Sequence, residues 1–108
     1  MKHTVRCRGF RALARNSLVG FASVEIVELK ATIHDVALHR RGASRWAQLP
    51  AKPMLRDGRH VADGATGKPA YVPILEFDDR AVRDAFASRV WAAVIDKHPE
   101  LGAGEAAA

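Results

Sequence analysis

From Ile33 to His39 the chain reads Ile-His-Asp-Val-Ala-Leu-His, and Trp46-Ala47-Gln48-Leu49 follows after Arg41-Gly42-Ala43-Ser44. This pair of runs constrains the fold most. The segment from Ala31 to Arg40 is β-branched early and holds neither proline nor glycine, which suits a strand. Gly42 can take positive φ and so close a tight turn. Pro50 has no N–H to give to a ladder, so the second run, Arg45 to Leu49, ends there, with Pro53 soon after. Two strands joined by so short a link can only be antiparallel.

Two further strands precede this pair. Thr4 to Arg11 alternates, with Val5 and Cys7 on one side and Arg6 and Arg8 on the other. Asn16-Ser17 reads as a turn. Leu18 to Val27 sets Val24 and Ile26 against Ser23 and Glu25, and a break at Glu28 to Lys30 leads into the next strand. Successive strands with short links predict an antiparallel meander. Met54 to Ala70 is a long loop rich in turn formers, including Asp57-Gly58 and Asp63-Gly64, of which the first could close a hairpin. Tyr71 to Phe77 reads as a short strand, and Pro73 assigns it to an edge or a bulge.

A helix is expected from about Asp79 to Lys97, capped by Asp78 and stopped by His98-Pro99. Val82, Phe86, Val90, Ala93 and Val94 form one apolar stripe at helical spacing. Trp91 and Ile95 lie well round from it, covered either by a loop or tail or by self-association. The expected fold is therefore α+β: a small antiparallel sheet of four to five strands with one long C-terminal helix. It forms a single domain over residues 1–98, followed by a flexible tail, 99–108.

Charge is uneven along the chain. Through Arg59 twelve lysines and arginines face four acids, a balance of +8; from His60 onward five face eight, a balance of −3. Clustered cations attract phosphate through counterion release, although a basic surface can also serve solubility alone. The single cysteine, Cys7, excludes an intrachain disulfide and suits a reducing compartment. The basic start is followed by no apolar run of signal-peptide or membrane-span length, so a cytoplasmic protein without membrane attachment is expected.

Several short motifs share one order with a known family. They are Val5-Arg6-Cys7-Arg8, Phe21-Ala22-Ser23-Val24, His34-Asp35-Val36, Leu49-Pro50-Ala51-Lys52 and the Asp57-Gly58 turn. Over roughly the first 60 residues the chain resembles the stage V sporulation protein G (SpoVG, or septation) family. The resemblance implies a small α+β protein with an antiparallel sheet and a helical C-terminal part. It also implies a homodimer that acts as a bacterial regulator binding DNA and RNA. Lys52 carries over as a nucleic-acid contact, with Arg56 and Arg59 in the neighbouring region. Pro53 stands where the family has a further cation, and the loop from Arg59 to Ala70 is longer here. Those departures, with Trp46 and the long helix, suggest a divergent relative of proteobacterial or phage type. A shared fold would not by itself fix a shared regulatory role.

Other chemistry finds little support in the residues. None of His3, His34, His39, His60 and His98 pairs with Cys7 at zinc-ligand spacing. His34 and Asp35 are strand neighbours expected to point to opposite faces. Asp78-Asp79 is explained by a helix cap, Ser17 and Ser44 lack a nucleophile elbow, and Gly58 to Gly67 lacks phosphate-loop spacing. No enzyme, metal, cofactor or small-molecule substrate is expected. Phe10, Phe21, Trp46 and Tyr71 could stack on unpaired bases, but aromatics in small sheets more often fill a core. Basic residues beside Trp46 would reverse that judgement. The candidate nucleic-acid contacts are Arg6, Arg8, Arg45, Lys52, Arg56 and Arg59, on a basic sheet face. Strandedness is left open, and the alternative is a non-catalytic, homodimeric protein-interaction module.

Overall fold

The computed structural model describes residues 4–62, 64, 67 and 70–102. Four strands, β1 (Val5–Arg15), β2 (Leu18–Ile26), β3 (Ala31–Arg41) and β4 (Ser44–Gln48), form one antiparallel sheet in the order β1-β2-β3-β4. Each turn has a residue at positive φ, a conformation that Gly42 and Asn16 tolerate and that the Lys30 side chain does not favour. Asn16 (φ 54°) turns β1 into β2, Lys30 (φ 51°) closes a 3-10 turn at Val27–Leu29, and Gly42 (φ 59°) joins β3 to β4. The α+β meander expected from the chain is the architecture observed.

Alternation along β2 sets the two faces of this sheet. Gly20, Ala22, Val24 and Ile26 are buried, while Phe21, Ser23 and Glu25 between them are half-buried. Cross-strand neighbours extend the buried face through Cys7, Val36 and Leu38. A side chain at Gly20 would not fit: a Cβ there would meet the Arg11 carbonyl oxygen at 2.4 Å and the Phe10 ring at 2.6 Å. Phe10 thus lies on the core side of the sheet and is unsuited to base stacking.

Four register shifts interrupt the strand pairing, and two of them bear on the candidate residues, one at Arg8 and one at His34-Asp35. At the first, Gly9 rather than Arg8 pairs with Ser23. At the second, Asp35 adopts φ 59°, a left-handed conformation that a short polar side chain tolerates. His34 Nδ1 lies 3.0 Å from Ser23 Oγ.

The helix α1 (Arg80–Lys97) covers the apolar face of the sheet. Its cap is Asp79, one residue later than expected, whose carboxylate accepts from the N–H groups of Ala81 (2.7 Å) and Val82 (3.2 Å). Asp79→Ala should therefore cost about 1 kcal/mol, lowering the melting temperature by about 4–8 °C in a calorimetric scan. Asp78→Ala should leave it nearly unchanged. The buried helix residues are Phe86, Val90, Trp91 and Val94. This corrects the expected stripe at both edges: Val82 is 43% exposed, whereas Trp91 is 4% exposed. The helix touches both β1 and β4, so a wide arc of its surface is covered and Trp91 falls inside it. The Trp91 indole N–H donates to the Trp46 carbonyl at 2.9 Å. Trp91 is thus covered within its own chain and leaves no second helical stripe to argue for a dimer.

The chain is still packed at Leu101, three residues past His98. Leu101 lies against the core, the Arg40 guanidinium donates to its carbonyl, and His98 sits 5.3 Å from the Phe10 ring. The Asp63-Gly64 turn and the tail from residue 103 lie outside the described residues.

Between sheet and helix the chain makes a ribbon-like arm rather than a loop. β5 (Ala51–Pro53) pairs with β8 (Tyr71–Pro73), and β6 (Leu55–Arg56) pairs with β7 (Arg59–His60). Asp57 (φ 52°) and Gly58 (φ 76°) both take positive φ, the requirement of a type I′ hairpin, so this Asp-Gly pair does close one. The strand expected over Tyr71 to Phe77 stops at Pro73, and Phe77 turns inward to meet the Phe86 ring at 5.1 Å. β5, β6 and β7 are exposed throughout.

Candidate nucleic-acid interface

The six cations singled out in the sequence occupy three places instead of one sheet face. Arg6 is on β1 opposite Glu25 on β2, and the bulged Arg8 has its Nη1 3.8 Å from Glu25 Oε1. Both ends of that ion pair reach solvent, so it adds little to stability. Arg45 lies on the helix side of β4, its guanidinium 5.3 Å from the Trp91 ring centroid. Lys52 is on the arm opposite Val72, and Arg56 and Arg59 face one another beside the Asp57-Gly58 turn. Reading position in sequence as position on one face fails because bulges, a crossing helix and a separate ribbon intervene.

The sheet face away from the helix has a different and more specific chemistry. Arg11 pairs with Phe21 across β1 and β2, and its guanidinium lies 5.3 Å from the Phe21 centroid. His39 and Trp46 are direct partners across β3 and β4. Their rings stack with centroids 5.3 Å apart and planes within 4°. Ser17 Oγ lies 2.9 Å from His39 Nδ1 and holds the imidazole in this orientation. Trp46 is 39% exposed, so the expectation of a core tryptophan does not hold. Arg41 pairs with Ser44 two positions beyond the His39–Trp46 pair and so shares its face.

Between these aromatic groups lies a shallow recess of about 390 Å³. Ala37 is on its floor, Phe21 and His39 stand at its sides, and Asp35 and Gln48 add polar groups. The root of the arm reaches it through Ala51 and Tyr71, and Tyr71 is 60% exposed. Arg11 and His39 were not singled out as site residues. The parity of Phe21 with Ser23 and Glu25 was a usable signal for this face. Pairing Arg11 with Phe21, or His39 with Trp46, needs the strand register as well.

Among the described residues no group of three or more His, Cys, Asp or Glu side chains is placed to hold a metal ion. No helix among them is long and apolar enough to cross a membrane. Cys7 is a buried free thiol. In comparisons with known proteins, no family model, curated protein or solved structure matches this chain.

Proposed function

We propose that this protein is a small, non-catalytic nucleic-acid-binding protein that uses the helix-free face of its sheet. The observation that carries the reading is the company kept there: a His39–Trp46 stack and a Phe21–Arg11 pair on one open surface, with Arg41 alongside. Aromatic faces take up bases, and guanidinium groups beside them neutralise the backbone phosphates. The cations of the arm, Lys52, Arg56 and Arg59, extend the positive charge beyond the sheet. The ordered motifs favour a divergent relative of the stage V sporulation protein G family, with a regulatory role in the cytoplasm.

An electrophoretic mobility shift at low salt tests the reading. Retention of DNA or RNA by the unaltered protein is expected. The double variant Arg6→Glu/Arg11→Glu should weaken it on the order of tenfold or more, since attraction to phosphate becomes repulsion. Arg45→Glu is a poorer test because it also removes the contact with Trp91. Absence of retention at low salt would refute the proposal. A second reading, a homodimeric interaction module, is favoured by the exposed Leu55 and Ile74 on and beside the arm. This reading requires twice the chain mass of 11.8 kDa in sedimentation of the nucleic-acid-free protein, and a dimer of that mass that retains no nucleic acid at low salt would favour it over the first.

A further inference from the structure

We infer that the recess above Ala37 receives an unpaired nucleobase, so that the ligand is single-stranded nucleic acid. The inference rests on the nucleic-acid reading and narrows it. The recess is floored by the small side chain of Ala37 and bounded by Phe21, His39 and Tyr71, with Asp35 and Gln48 among its lining. These ring faces, with the aliphatic Leu18 and Leu49 that also line the recess, suit a flat, largely apolar ring better than a charged group. Asp35 in the lining disfavours a phosphate or an acidic side chain, whose charge it would repel. The same carboxylate can accept from an exocyclic amino group, and the Gln48 amide can both donate to and accept from a base edge.

The surrounding charge fits the rest of the ligand. Arg11 lies beyond Phe21 and Arg41 beyond His39, so cations flank an apolar slot on both sides. A nucleotide strand presents this pattern in complement, with a base between backbone phosphates. A duplex does not, because its bases are stacked on one another and only their edges are open in the grooves. An acidic peptide would place its charge against Asp35. The exposed Tyr71 brings the arm to the mouth of the slot and adds a further stacking surface.

Fluorescence anisotropy with a short labelled oligonucleotide, presented as a single strand and as its duplex, tests this. Ala37→Leu fills the slot without altering charge, and Tyr71→Ala removes one wall at a position that is 60% exposed. Each should weaken single-strand binding on the order of tenfold. Duplex binding should stay within about twofold, because the phosphate contacts are retained. Melting temperatures are measured alongside. If both variants bind the single strand as the unaltered protein does, the inference is overturned while the broader reading stands. A parallel loss for strand and duplex in well-folded variants overturns it equally. If the unaltered protein binds neither form, the broader reading itself has failed.

Discussion

Trp91→Ala should destabilise the protein by about 3–5 kcal/mol, a large part of the roughly 5–15 kcal/mol that holds a small domain together. Three losses combine. The indole is almost fully buried among the core residues, so its removal leaves a cavity beside Val90 and Val94. Its N–H no longer donates to the Trp46 carbonyl, and Arg45 loses the ring beneath it. Urea denaturation followed by circular dichroism reads the effect. Val82→Ala on the same helix, largely exposed, should change stability by no more than about 0.5 kcal/mol. A loss in Trp91→Ala that depends on protein concentration would instead identify the tryptophan as an intermolecular contact. A loss below about 1 kcal/mol would contradict its place in the core.

Nucleic-acid affinity should collapse as salt is raised. If about four phosphates of a single strand are neutralised, log affinity falls with log salt at a slope near −3, about −0.7 for each phosphate. Between 50 and 200 mM salt that amounts to about a fiftyfold loss. Arg11→Ala should make the slope shallower by about one phosphate's share, whereas Ala37→Leu should lower affinity and leave the slope alone. A salt-independent interaction would mean that apolar contact alone holds the ligand and that the arginines are bystanders.

Local signals carried much of the fold. Asn16, Gly42 and Asp57-Gly58 marked three turns that do form, and the alternation of Val24 and Ile26 with Ser23 and Glu25 identified the two faces of β2. His98-Pro99 marked the end of the helix. What was not legible depends on contacts distant in sequence. The breadth of helix surface covered by a four-stranded sheet decides that Trp91 is buried, and helical spacing alone does not contain it. The bulges at Arg8 and Asp35 each insert a residue, so counting alternate positions across them assigns the wrong face. The candidate site suffered most. Its cations were grouped by nearness along the chain, yet Arg45 points to the helix while its neighbour Trp46 stacks on His39. Phe10 and Phe21, both aromatic and both on strands, belong to opposite faces.

The order of elements along the chain has a consequence for biosynthesis. The sheet is complete at Gln48, but the helix that covers its apolar face is complete only at Lys97, roughly fifty residues later. At about 5–20 residues per second, translation leaves that face uncovered for several seconds. During this interval Val24, Val36 and Leu38 are available to any other nascent sheet nearby. The exposed arm separates the two halves and is made during the wait. Shortening it would bring the cover to the ribosome exit sooner, so the arm's length sets how long each new molecule is vulnerable to aggregation.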